Sequence, residues 1–186
     1  MKKTLYFDTE TTGVDPKKCS IVQFAAIVEY EDEIVDRVDI KLQPFEDAII
    51  TDKALSKLRF TVDEMCDFMP HYEGFERVKS FMDKHINRFD KTDKFYAAGY
   101  NVRFDLDFLQ EFFKFNGDKY GIGSYFNWKT VDPFPMMHIL DWTGKLDLEN
   151  YQLKTVCGKY KIPLDNEHDA LADIEATRTL IKKLFK

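Results

Sequence analysis

The chain has 186 residues, of which 44% are hydrophobic and 32% charged, enough to bury a sizeable core and too apolar for a disordered chain. A formal net charge of −6 and a pI near 5.3 exclude a broad basic face for gripping long duplex nucleic acid, but not a local cleft whose phosphates are neutralised by cations. Cys19, Cys66 and Cys157 are scattered with no CxxC pair, which predicts reduced thiols rather than a zinc site or a disulfide framework. With no signal-type segment and no membrane-length apolar run, the expectation is a cytoplasmic protein that does not contact membrane.

The apolar run at residues 5–7 predicts a short first strand, and residues 21–30 (IVQFAAIVEY) a longer one. Residues 34–44 alternate and read as the antiparallel partner of that second strand, joined to it through the acidic turn 31–33. Residues 52–89 read as mostly helical, with a break near Pro70. A buried strand at 94–101 feeds a Phe-rich helix at 103–115, and WKTVDPF allows a last short strand. Helices are predicted at 135–142, 151–160 and 169–184. Antiparallel strands followed by alternating helices and strands describe an α/β fold, a mixed sheet flanked by helices. The pattern runs through residues 1–186 as a single domain.

Acids recur where these elements begin or end. If the first strand continues through DTE, Asp8 and Glu10 project from the same face. Taken alone, two acids before a TTG turn read as a solvated strand end. In the Phe-rich helix, Asp105 shares its stripe with Phe108, Leu109 and Phe112, whereas Asp107 aligns with Glu111 and Lys114. An acid in a first helical turn suits the macrodipole, but that does not account for an inward direction. In the last helix Asp173 aligns with Ala176, Thr177, Leu180 and Leu184, and Glu175 faces outward with Arg178 and Lys182. Taken alone, His168, five residues before Asp173, reads as a capping or surface histidine.

Jointly, four inward acids from three segments need an explanation. Two carboxylates ~4 Å apart repel by about 4 kcal/mol at an effective dielectric near 20. A fold that gathers four requires cations, and a pair of hard divalent ions with oxygen ligands, Mg²⁺ or Mn²⁺, balances the charge. Such a site suits phosphodiester hydrolysis, where charge develops on both the attacking and the leaving oxygen.

Three segments, FDTETTG (7–13), YNVRFDLDFL (100–109) and HDALADIEAT (168–177), resemble the three motifs of the DEDDh, or DnaQ-like, 3′→5′ exonucleases, and the similarity extends over the intervening chain. The resemblance implies a ribonuclease H-like fold with a mixed five-stranded sheet. It also implies a two-metal exonuclease that releases nucleoside 5′-monophosphates from single-stranded or frayed 3′ ends of DNA or RNA. By the same resemblance Asp8, Glu10, Asp105 and Asp173 are the metal-binding acids and His168 is the general base. A tyrosine-dependent sister branch would place its tyrosine four residues before the last acid, where this chain has Asp169. Substrate contacts are expected at Thr11, Thr12, Gly13, Val14, Asn101 and Phe104, with backbone amides around 11–14 holding the terminal nucleotide and Val14 touching its base. The sequence departs from the common pattern at Tyr100, where many members have histidine, and at Arg103, where a small residue is usual.

Arg103 reads equally as a phosphate contact or a solvated helix-start residue. Lys154, Lys159 and Lys161 form a local basic cluster, read as a solvated helix face before a strand track. Tyr125, Phe126 and Trp128 offer either stacking surfaces or core. A polymerase or another replication or repair factor is a possible partner, made less expected by a sequence that ends just after the last helix. Two other readings remain: a non-catalytic nucleic-acid- or protein-binding module on the same fold, and a phosphohydrolase acting on free nucleotides. The choice between DNA and RNA and the oligomeric state are not determined by these residues.

Overall fold

The protein is described by a computed structural model covering residues 2–164 and 169–185. Five strands form one mixed sheet in the order β3-β2-β1-β4-β5. β1 (Lys3–Thr11), β2 (Ile21–Tyr30) and β3 (Glu33–Lys41) are an antiparallel meander. β4 (Phe95–Ala98) lies parallel to β1, and β5 (Phe126–Val131) lies parallel to β4. This is the predicted mixed sheet, with one difference that matters for chemistry. β1 extends well beyond residues 5–7, because Asp8, Thr9 and Glu10 stay in register with Ala25, Phe24 and Gln23 of β2. The DTE segment is therefore true strand, and Asp8 and Glu10 share a face.

The β2–β3 turn contains only Glu31 and Asp32, with φ of 49° and 78°. Two successive left-handed residues are what a two-residue type I′ hairpin requires, and an acidic pair fills it here without glycine.

Between the meander and β4 the chain forms three separate helices, α1 (Asp52–Leu55), α2 (Val62–Cys66) and α3 (His71–Asp83), in place of the broad helical stretch predicted over 52–89. Local capping explains the divisions. The Thr51 hydroxyl accepts from the Ala54 amide to start α1, Thr61 forms a reciprocal capping box with Glu64 that starts α2, and the predicted break near Pro70 falls where Pro70 precedes α3. The remaining helices are α4 (Val102–Phe115), α5 (Phe134–Trp142), α6 (Leu153–Lys159) and α7 (Ala170–Phe185).

Strand alternation divides β1 between two cores. Leu5 and Phe7 face α3 and α4, in a cluster that includes Phe24, Phe75, Phe95, Phe112 and Phe113. Tyr6 faces α7 and packs with Ala25, Ile27, Ala170 and Ile174. α5 and α6 pack against the flank of α7 through Met137, Val156, Ala176 and Leu180. Truncating one of the buried phenylalanines to alanine should cost about 3–5 kcal/mol. α7 is also tied to the sheet electrostatically: the buried Glu29 carboxylate of β2 pairs with Arg178 and, at 2.9 Å, with Lys182.

The aromatic group at 125–128 separates. Tyr125 is core and its hydroxyl donates to Asp83 (2.6 Å), Phe126 is buried, and Trp128 is 87% exposed. Cys19 and Cys157 are buried, whereas Cys66 lies at the surface on a helix whose other face carries Met65. Among the described residues no helix is long and apolar enough to cross a membrane.

Candidate active site

The acids predicted from the sequence converge at the end of β1. Carboxylate oxygens of Asp8, Glu10 and Asp173 lie within 4.8 Å of one another, and each side chain is partly buried. Asp8 and Glu10 come from the face of β1 that looks toward α7, and Asp173 comes from the first turn of that helix. Asp105, from the first turn of α4, lines the same cleft of about 410 Å³ but lies outside that tight trio.

Asp105 is almost fully buried and is held from β1 itself. The Thr9 amide and hydroxyl both donate to its Oδ1, at 2.9 and 2.7 Å. Because Thr9 lies between Asp8 and Glu10, its side chain points to the opposite face, toward α4. One strand segment thus presents two acids to one side and grips a third on the other.

The electrostatics are those of crowded carboxylates. Burial, then the Asp105, Glu10 and Asp173 charges, push the Asp8 carboxyl well above its ordinary range. Burial and the neighbouring Asp173, Asp105 and Asp169 carboxylates raise Glu10 to about 8, opposed by Lys57. Burial also raises Asp105 to about 7, against the pull of the two Thr9 hydrogen bonds. An all-oxygen donor set with its protons held this tightly fits hard divalent cations, which would displace those protons and neutralise the charge.

The expected substrate contacts gather in the same cleft, except one. Thr11, Gly13, Val14, Asn101 and Phe104 line it, with Val14 77% exposed and Phe104 packed at 4.9 Å on Phe108. Thr12 is fully buried instead. Its hydroxyl donates to the Ile49 carbonyl and accepts from the Ser20 amide, and its own amide donates to the Ser20 carbonyl. Thr12 therefore staples the loop under the cleft. Gly13 is needed beside it, since a Cβ there would overlap Cys19 Sγ. His168 lies outside the described residues.

Tyr100 is held by its hydroxyl, which donates to the Tyr151 carbonyl at 2.5 Å. Arg103 is a solvated helix-start residue, 79% exposed and paired with Asp107 at 2.8 Å, as the periodicity allowed.

Sequence reasoning missed three groups. Thr9 carries no mark of its own in the sequence, lying between the two acids. Asp132 lies in the WKTVDPF segment, whose sequence suggests only a strand end, yet its carboxylate accepts from the Asn101, Val102 and Phe134 amides at 3.0, 3.0 and 2.9 Å. It thereby caps the helix that carries Asp105 and fixes Asn101 in its left-handed conformation. A signal existed: parallel strands place their C-terminal ends side by side, so an acid ending β5 falls beside the residue ending β4. Lys53 and Lys57 also line the cleft, from α1 and the turn after it, where no motif marks them.

Residues 5–181 match the exonuclease family model, RNase_T. Curated relatives include the PolC-type DNA polymerase III of Lacticaseibacillus paracasei, 28% identical over 97% of this chain, and that of Halalkalibacterium halodurans, 29% identical over 97%. The chain spans about 11% of the length of each of these polymerases. Among solved structures, E. coli exonuclease I in complex with a dT13 oligonucleotide superposes with a TM-score of 0.79 at 22% identity, covering 99% of this chain and 41% of that one. A zinc-bound complex of the same enzyme with single-stranded DNA gives 0.81 at 21% identity, covering 99% and 40%. These neighbours share the mixed five-stranded fold, and with the family match and the three motifs they identify this chain as an exonuclease domain of the DEDDh, DnaQ-like family.

Proposed function

We propose that this protein is a metal-dependent exonuclease that removes nucleotides one at a time from single-stranded 3′ ends, releasing nucleoside 5′-monophosphates. The observation that carries this reading is the trio of Asp8, Glu10 and Asp173 oxygens within 4.8 Å, in a cleft that also admits Asp105. DNA is the favoured substrate: the polymerase relatives and the dT13-bound neighbour are DNA proteins, and RNA is the alternative to be measured. The PolC relatives also make a polymerase or another replication or repair factor the partner to seek.

Asp8, Glu10, Asp105 and Asp173 would hold two Mg²⁺ or Mn²⁺ ions, which when bound supply Lewis acidity toward the scissile phosphate. The chain's own groups do the rest. Thr9 fixes the Asp105 carboxylate where it lines the cleft. The backbone at Thr11 and Gly13 and the exposed Val14 side chain seat the terminal nucleotide, and Asn101 and Phe104 bound its sugar and base from the α4 side. His168 takes the proton of the attacking water, a role suited to an imidazole with an ordinary pKa near 6.5.

The test uses 5′-labelled single-stranded DNA, single-stranded RNA and a duplex with a recessed 3′ end, each incubated with Mn²⁺ or Mg²⁺. A ladder that shortens from the 3′ end, abolished by EDTA and by Asp8→Ala, supports the proposal, and the faster substrate decides the sugar preference. Intact oligomers with folded wild-type protein would sink it.

A further inference from the structure

A second cleft of about 740 Å³ adjoins the first across the acids. Both are lined by Asp8, Lys57, Tyr100, Asn101 and Asp173, so the two meet where the scissile phosphate would lie. Their outer walls differ in chemistry. The first has the DTETTG loop and α1, whereas the second has Phe134 and His138 of α5 with Tyr151 and Lys154 at the start of α6.

We propose that this second cleft binds the penultimate nucleotide of a single strand, with its base stacked on His138 and its 5′ phosphate met by Lys154. The inference rests on the exonuclease reading above. If the terminal nucleotide fills the first cleft and its 5′ phosphate lies over the acids, the next nucleotide must leave on the far side, into the second.

The wall there is built as a platform. His138 is exposed and makes T-shaped contacts with two rings, Phe134 at 4.4 Å and 60° and Tyr151 at 5.4 Å and 71°. Its own helix is anchored by the neighbouring Met137, which is fully buried, so burial does not explain His138. An exposed ring held in place by aromatic neighbours at the wall of a cleft gives a nucleobase a surface to stack on without regard to sequence. Tyr100 connects the platform to the catalytic end: it lines both clefts, packs at 5.3 Å on Phe134, and donates its hydroxyl to the Tyr151 carbonyl. That gives the departure at Tyr100 a role, since this side chain holds the second wall against the motif that carries Asp105. Lys57 and Lys154 supply positive charge on a chain whose net charge is −6, which suits a polyanion threaded past acids.

The experiment is a base-deletion cycle. Cleavage of the terminal nucleotide is measured on an unmodified oligonucleotide and on one with a tetrahydrofuran abasic residue at the penultimate position. The enzymes compared are wild type, His138→Ala and His138→Phe. The lesion should lower wild-type kcat/KM by about 10-fold, and should cost His138→Ala less than about 3-fold, because its stacking partner is already gone. His138→Phe should regain the wild-type sensitivity, which a role for the imidazole nitrogens would not allow. Lys154→Gln should flatten the slope of log kcat/KM against log salt concentration by about 0.7, the contribution of one phosphate contact on a single strand. An undiminished lesion penalty in His138→Ala overturns the stacking assignment, and an unchanged salt slope overturns the phosphate contact. Failure of wild type to shorten even the unmodified strand is a different result, and removes the exonuclease reading itself.

Discussion

Thr9 and Asp105 are 96 positions apart in sequence and joined twice, by an amide and a hydroxyl that donate to the same carboxylate oxygen. The strand that supplies two acids therefore also positions a third and favours its charged form against burial. Removing the hydroxyl alone tests the coupling, because Thr9→Val keeps the shape of a buried side chain and leaves the amide bond in place. A hydrogen bond to a charged group is worth about 1.5–3 kcal/mol, so the Asp105 carboxyl should rise further above its value near 7. The expected outcome is a Mn²⁺ requirement about 10-fold higher at neutral pH, shrinking as pH increases and Asp105 ionises regardless. Titrating activity against Mn²⁺ at two pH values checks it.

Crowded acids make the metal-free protein sensitive to pH in an unusual direction. Glu10 ionises near 8 and Asp105 near 7 in the folded chain, against ordinary values of 4.5 and 3.8. Over the range between those values the folded state holds more protons than the unfolded one, so stability falls as pH rises. His71 acts oppositely, since burial lowers its pKa, but its effect is complete above about pH 7. In EDTA the melting temperature should therefore drop by several degrees between about pH 7 and about pH 8.5. Glu10→Gln should flatten that drop, and Mn²⁺ should reverse it, because ion binding strengthens as the carboxylates lose protons. Thermal melts with and without metal decide the matter.

The same crowding predicts opposite effects of one substitution on stability and activity. Asp8 feels three other carboxylates, so Asp8→Asn relieves repulsion in the metal-free protein. Its melting temperature in EDTA should rise by about 2–4 °C while cleavage falls at least ~1,000-fold. A melting temperature that falls instead would mean the carboxylate is held by favourable contacts rather than crowded.

The reach of the sequence follows from which interactions are periodic. Inward acids were legible because helical and strand periods assign faces, and Asp105 and Asp173 lie on the buried stripes that their neighbours define. The full length of β1 was not legible, since Asp8–Glu10 is polar and only pairing with the apolar β2 keeps it extended. Within residues 52–89 the break near Pro70 was legible and falls where α3 begins, whereas the division at Thr61 was not, because its capping box interrupts an otherwise helical pattern. Thr12 illustrates a further limit: it sits within a motif expected to touch substrate, yet its hydroxyl is spent on Ile49 and Ser20 from elsewhere in the chain. Long-range hydrogen bonds of this kind leave no local mark.

Asp132 is the strongest case of such a contact, and removing it should disturb the site without touching substrate. Its carboxylate is half-buried at the end of β5 and satisfies two orphan amides where α4 begins, together with the Phe134 amide that starts α5. Loss of a helix cap costs about 0.5–2 kcal/mol, which for a chain of this size lowers the melting temperature by roughly 1–8 °C. The functional effect should exceed the structural one, because α4 delivers Asp105 within its first turn, where fraying is greatest. For Asp132→Ala the expected result is a raised metal requirement and a lower kcat, with KM for the oligonucleotide nearly unchanged. Asp132→Asn keeps one acceptor oxygen in the same place and should recover part of both losses. An Asp132→Ala enzyme that melts lower but keeps the wild-type metal titration would show that the cap stabilises α4 without setting the position of Asp105.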